Sequence, residues 1–247
     1  MKASESNPNY PSKVREMTNY TIREIKKVCK DIGPRPSGEE NERKAQDYVA
    51  DSMSKVADSV VKEKFELHPK AFMGWVPLDV ILMTISIVLT LLSYFDVLPS
   101  ASTAFSVVSV VLTSLAIIFT FFEFLLYKKF LDPFFPKRET YNVVCTRKAA
   151  GETKRRIVFS GHIDSAYEWY FTHLGGGKLL TTMIALAFGA IAITLAASIV
   201  SFFDVPNGVR VTAIVVLFVC LIPILMCSKF VNWKLCVPGA RSEEHTS

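Results

Sequence analysis

Paired cysteines are missing from this 247-residue sequence, histidine is scarce, and charge is sparse in four long stretches. The five cysteines (Cys29, Cys145, Cys220, Cys227, Cys236) are scattered, odd in number and include no CxxC. That excludes a thiolate zinc site, and it fits a reducing compartment without a disulfide framework. The glycine run Gly175 to Gly177 has neither the spacing nor the Lys of a phosphate loop, which leaves a flexible lead-in to a helix. No cleavable leader is expected, since Met1 to Lys70 is polar and charged throughout.

What is present in excess is apolar: half of the residues are hydrophobic and the mean hydropathy is +0.30. An uncharged run of about 20 residues suffices to cross the hydrocarbon core of a bilayer as a helix. Four such runs occur, Val76 to Leu98, Ala101 to Tyr127, Leu179 to Phe203 and Gly208 to Phe230, arranged as two tight hairpins. Asp79, Asp96, Glu123, Asp204 and Arg210 fall toward the run ends, where solvated charge at the interface is expected. The turns "SYFDVLPS" and "SFFDVPNG" each place Asp and Pro after an aromatic pair, which suits a helix stop without requiring a duplication.

Lys and Arg near the membrane set orientation. The first turn has none and the second only Arg210, whereas Lys70, Lys128, Lys129, Lys137, Arg138, Lys178, Lys229 and Lys234 flank the other ends. A multi-pass protein with its non-membrane segments in the cytoplasm is expected. The net charge of +5 largely reflects this bias, so anionic headgroups of the lipid bilayer are the implied partner and nucleic acid is not.

Outside the hairpins, Val14, Met17, Ile25, Val28 and Ile32 recur at helical spacing until "GPRPSG". Ser37 with Glu40 forms a capping-box pattern for a second helix, whose face carries Ala45, Val49, Met53 and Val56. "VVKEKFELH" alternates as a strand does, and "YNVVCTRK" and "RRIVFSG" are two further β-rich runs joined by the turn "AAGETK". An α/β domain with a central sheet follows, interrupted by two transmembrane hairpins. "GHIDS" would lie just past the carboxyl end of a buried strand, where open α/β sheets place ligands. His162 there is a potential zinc ligand, and Asp164 is placed to take its other ring N–H. H-x-D alone is a weak signal, equally compatible with a surface loop in which Asp164 caps a turn.

The stretches "VCKDIGPRPSGEENERKAQDYV", "YNVVCTRK", "IVFSGHIDSAYEW" and "VPGA" together resemble, in order and character, the zinc aminopeptidases of metallopeptidase family M-twenty-eight. The resemblance covers most of the non-membrane sequence. It implies a mixed-sheet α/β zinc-peptidase domain with two Zn2+ ions that removes N-terminal residues from a peptide substrate. His162 resembles the first zinc ligand, and Asp164 the carboxylate that orients it without binding metal. The implied organisation is the N-terminal part of the peptidase domain at 1–75, transmembrane hairpins at 76–130 and 179–230, and the strands with the H-x-D motif at 131–178. The start of a metal-binding loop falls at 231–240.

Departures from the family follow "PGA", where the bridging Asp, the Glu–Glu pair with its general base, a later acidic ligand and a final His are all missing. The tail "RSEEHTS" at 241–247 is what AGATCGGAAGAGCACACGTCT encodes, a string resembling a sequencing-library adapter; read-through past Ala240 is the expectation. Glu243, Glu244 and His245 are accordingly not counted as ligands. His68 and His173 are assigned structural or interfacial roles. The incomplete domain, with one ligand of a dinuclear set, is expected to be an inactive N-terminal fragment. Two alternatives remain: a carboxypeptidase or deacylase-type zinc hydrolase, whose motif usually continues "HxDxVP", and a non-enzymatic membrane binding or scaffold protein.

Overall fold

The computed structural model describes residues 9–239. Ala240 and the tail at 241–247, including Glu243, Glu244 and His245, lie outside the described residues. The chain divides into two compact units: one runs up to Leu67 and takes in Arg138–Tyr167 and the stretch from Leu235 on, and the other comprises His68–Lys137 and Glu168–Lys234. The molecule is mixed and helix-rich, with four long apolar helices and two small sheets.

In the first unit, helix α1 (Tyr10–Lys27) runs on into a π-helical turn, Val28–Ile32, and stops at Gly33, whose φ of 77° suits glycine. The periodic face of α1 was expected to be buried, yet Val14, Met17 and Ile25 are exposed and no α1 side chain is buried. Its link to helix α2 (Glu40–Ser54) is polar: Tyr48 donates to Glu24, and Lys27 lies 4.4 Å from the Tyr48 ring centroid. That hydrogen bond holds the Glu24 carboxyl below its ordinary range.

The capping box does not form. Glu39 occupies the N-cap without a side-chain capping bond, its carboxylate accepting from Arg138 instead, and the Ser37 hydroxyl turns to Asp164. The carboxylate of Glu42, four residues on, accepts the Gly38 N–H at 2.6 Å. Gly38 has φ 75°, and a Cβ there would meet Arg138 Cβ at 2.6 Å, so the tight approach requires glycine.

Strand β1 (Ser59–Leu67) pairs antiparallel with β2 (Arg138–Thr146), from Ser59 opposite Thr146 to Leu67 opposite Arg138. Helix α2 meets β2 through a buried chain: Gln46 donates to Thr140 Oγ1 at 2.9 Å, and Thr140 donates to Glu42 Oε2 at 2.6 Å. Ala45 is the single buried apolar side chain among the described residues of this unit, whereas Arg35, Glu42, Gln46, Thr140 and Ser165 are all buried. The third expected strand is absent: no strand is found across 152–166, and Ile157, Val158 and Phe159 are 74%, 78% and 92% exposed. An apolar alternation becomes a strand only when it pairs with a neighbouring edge, and this run pairs with neither outer edge of the β1–β2 sheet.

Burial raises the Glu42 carboxyl above its ordinary range, opposed by the bonds from Thr140 and Gly38 and reinforced by the Asp164 charge. The folded state therefore keeps this proton longer than the unfolded chain does. Its stabilising effect is complete below the ordinary glutamate pKa and declines as pH rises from there through the raised folded value. Glu42→Gln should flatten that decline, read from amide exchange of Gly38 across the acid range; an unchanged pH profile would assign it to other groups.

The second unit contains α3 (Val76–Tyr94), α4 (Ser102–Phe119, continued by a π-helical stretch Thr120–Leu125), α5 (Tyr170–Val200) and α6 (Asn207–Cys227). With flanking turns they give four segments long and apolar enough to cross a membrane: Ala71–Tyr94, Pro99–Leu125, Tyr170–Val200 and Asn207–Cys227. Helix α5 is broken at Gly175 and Gly176, so its continuous part begins close to the expected Leu179. Strands β3 (Tyr167–Trp169) and β4 (Val231–Cys236) form the second two-stranded sheet.

Two kinds of contact join these helices. Met83, Ile87, Leu91, Ala116, Ala190, Leu217 and Ile224 form one apolar cluster drawn from all four. Beside it runs a ladder of buried hydroxyls: Ser86, Thr90, Ser109, Thr113 and Ser198 bond to one another across α3, α4 and α5. Small hydroxyl residues let helix backbones approach closely and hydrogen-bond where lipid offers no partner.

Asp96 and Asp204 are exposed, as expected at the turns. Asp79 and Glu123 depart from that expectation, because both are buried. Glu123 accepts the Leu131 N–H at the turn after α4, and Asp79 accepts the Thr120 hydroxyl. Their position near a run end did not reveal that they are buried.

Candidate functional site

The residues around "GHIDS" are held by an arginine that carries no helical or strand pattern. Arg35 sits between Pro34 and Pro36, a context that prevents regular helix and extends the backbone. Its guanidinium turns inward and is 2% exposed. Nε donates to the Ile163 carbonyl at 2.9 Å, while Nη1 donates to Gly33 at 2.6 Å and to Pro238 at 2.9 Å. Backbone bonds add to this grip: Arg35 N–H donates to Ser165 Oγ at 2.7 Å, and Ser165 N–H returns to the Arg35 carbonyl at 2.9 Å.

The third stretch joins at the same place. Val237 N–H donates to the Ala166 carbonyl at 3.0 Å, and Cys236 Sγ lies 3.1 Å from Ser165 Oγ. Thus "GPRPSG", "GHIDS" and "VPG", separated in turn by the first and the second apolar hairpin, converge on one polar cluster. Fixed carbonyls around a planar, permanently charged fork give a rigid platform for the loop.

On that platform His162 and Asp164 meet. Nδ1 of His162 lies 3.1 Å from Asp164 Oδ1, and the Ser37 hydroxyl donates to Oδ2 at 2.7 Å. Both carboxylate oxygens are therefore engaged within the chain. An ionised Asp164 sets the His162 tautomer with the proton on Nδ1, which leaves the Nε2 lone pair for another partner. The imidazole is exposed and the Asp164 carboxylate largely covered.

One neutral imidazole with a carboxylate behind it matches a single position of a zinc site and its orienting partner. It does not make a complete site. Among the described residues no three His, Cys, Asp or Glu side chains come together to hold a metal ion. The strand expected before this motif is likewise missing, so the His162 loop is positioned by Arg35 and Ser165 instead of by a sheet end.

The other two described histidines make local contacts. His68 Nδ1 lies 2.7 Å from the Phe135 carbonyl, and His173 Nδ1 lies 3.3 Å from Glu168 Oε1. The five cysteines are free thiols. Arg35 was not singled out from the sequence, and Ser37 was singled out only as a helix cap; the two prolines flanking an arginine were the available signal. Comparison with family models, curated proteins and solved structures finds no match for this chain.

Proposed function

We propose that this chain is the N-terminal portion of a membrane-embedded zinc aminopeptidase, which hydrolyses the N-terminal peptide bond of a peptide substrate on the cytoplasmic side. The observation that supports it is the His162–Asp164–Ser37 relay, which presents a free imidazole nitrogen from a loop held by Arg35. His162 would hold one of two zinc ions, and Asp164 would fix its tautomer and orientation. When bound, such a pair supplies Lewis-acid polarisation of the scissile carbonyl and an activated water. This chain's own part is to aim one ligand and hold it rigidly.

The other ligands and the general base belong, in this reading, to residues encoded beyond Ala240. Reading genomic DNA through that codon tests it. An Asp within the next few codons, followed downstream by Glu–Glu, an acidic residue and a His, supports the peptidase. Genomic encoding of "RSEEHTS" followed by a stop would sink it.

A binding role is the second reading, favoured by the exposed run Ile157, Val158 and Phe159. Exposed apolar side chains in sequence mark an edge that another segment covers. In the peptidase reading that segment is a further strand of the same domain, whereas in the binding reading it is another protein.

A further inference from the structure

The loop that follows α4 is fixed from within and apolar on its outside. Tyr127 has φ 49°, a left-handed backbone uncommon for a bulky residue, and it turns the chain back at the helix end. Lys128 N–H donates to the Phe122 carbonyl at 2.8 Å, and the buried Glu123 accepts the Leu131 N–H at 2.5 Å. Leu131 is buried, and a short turn at Asp132–Phe134 follows it. A loop held this firmly by its inner residues nevertheless leaves Tyr127, Phe130 and Phe134 exposed, Phe134 at 80%. Aromatic rings exposed at the end of an apolar helix are the pattern of a membrane interface.

Ring contacts give the depth of this loop. The Phe130 ring centroid lies 6.0 Å from that of Phe119 and 5.4 Å from that of Phe122. Those residues precede Leu125, the last of the apolar span, by six and three positions, or about 9 and 4.5 Å along the helix axis. The loop therefore folds back beside the helix, which carries Phe130 to the depth of the outer acyl chains. Its exposed rings continue the exposed apolar side of α4, where Phe121 and Leu125 lie. Lys128 and Lys129 are exposed, and neither enters an ion pair among the described residues. Asp132 is the single acidic residue of the loop, so its net charge is positive.

We propose that this loop, residues 126–137, docks an anionic phospholipid, with Lys128 and Lys129 taking the phosphate and Phe130 and Phe134 lying among the first methylenes of the acyl chains. Charge selects the headgroup, because a zwitterionic lipid presents the same phosphate with its own cation beside it. The site rests on the membrane-spanning reading of α3 to α6. It is independent of the His162 loop, and its fate does not bear on the peptidase reading.

The test places the full chain in phosphatidylcholine nanodiscs holding a minor fraction of phosphatidylglycerol, with a diazirine near the head of one acyl chain in either lipid. Labelling of residues 126–137 by tagged phosphatidylglycerol should exceed that by tagged phosphatidylcholine at equal mole fraction, and untagged phosphatidylglycerol should displace it. The excess should fall about fivefold for each of Lys128→Gln and Lys129→Gln, the factor one lysine provides near an anionic surface. Lys128→Arg with Lys129→Arg keeps both charges and should retain the excess. Phe134→Ser should lower labelling by both lipids. Equal labelling by the two lipids in wild type, or an excess that survives loss of both lysines, overturns the site. An excess that falls equally in Lys178→Gln with Lys229→Gln, at the membrane ends of α5 and α6, overturns it in favour of diffuse surface charge. Absence of labelling along α4 by either lipid overturns the membrane reading, and the site with it.

Discussion

Arg35→Ala is expected to loosen the loop that carries His162 and to destabilise its unit by about 3 kcal/mol, because three carbonyls lose a charged donor whose own side chain is buried. Those carbonyls belong to Gly33, Ile163 and Pro238, one in each of the three converging stretches. The two backbone bonds between Arg35 and Ser165 do not involve the guanidinium and should survive. The damage should therefore concentrate at Ile163 and at the segment around Val237. Amide exchange of Val237 reports it directly, since that N–H is held by the Ala166 carbonyl. Arg35→Lys keeps the charge but loses the planar fork, so it should restore only part of the protection. Unchanged exchange in Arg35→Ala would mean that the loop is held by backbone bonds alone.

Ser109→Leu should be the most damaging single change in the four-helix unit. Ser109 is fully buried, donates to the Ser86 carbonyl at 3.0 Å, and lies 2.6 Å from the hydroxyls of Ser86, Thr90 and Ser198. The three partners at 2.6 Å come from two neighbouring helices: Ser86 and Thr90 lie on α3, and Ser198 lies on α5. Inserting methylenes into such a site costs about 1–3 kcal/mol through overpacking. Each interhelical hydrogen bond lost inside a membrane protein adds about 0.6 kcal/mol. A total of about 3–5 kcal/mol follows, read from unfolding in mixed micelles of increasing dodecyl sulfate fraction. Val107→Leu, on an exposed face of the same helix, is the control and should be near neutral. Equal midpoints for the two variants would show that the hydroxyl ladder does not hold α3, α4 and α5 together.

Much of the framework was legible because it rests on local pattern. Long uncharged runs identify the four apolar helices, and the alternation in "VVKEKFELH" identifies β1 without reference to anything distant. Partnership is what the pattern omits. Ile157, Val158 and Phe159 look like a strand, yet a strand exists only when paired with another edge, and this run pairs with no described strand. Ser37 fits a capping box, but its hydroxyl finds the Asp164 carboxylate 127 residues away instead. Asp79 sits near a run end, and only the helix packing shows that it faces inward.

The candidate site divides in the same way. His162 and Asp164 are neighbours in sequence, so their pairing could be read from spacing. Arg35 acts on carbonyls 128 and 203 residues away, and no periodicity encodes such a reach. The polar interior of this unit has the same origin, since its buried Gln46, Thr140 and Glu42 satisfy one another across a strand and a helix.

The most direct measurement is release of free amino acids from an unblocked peptide by the gene product read from genomic DNA through codon 240, with and without a zinc chelator. The account predicts zinc-dependent release, resistance of the N-acetylated peptide, and loss of activity in His162→Ala while the protein remains folded. No release by the genomic product, or release that persists unchanged in His162→Ala, would contradict it.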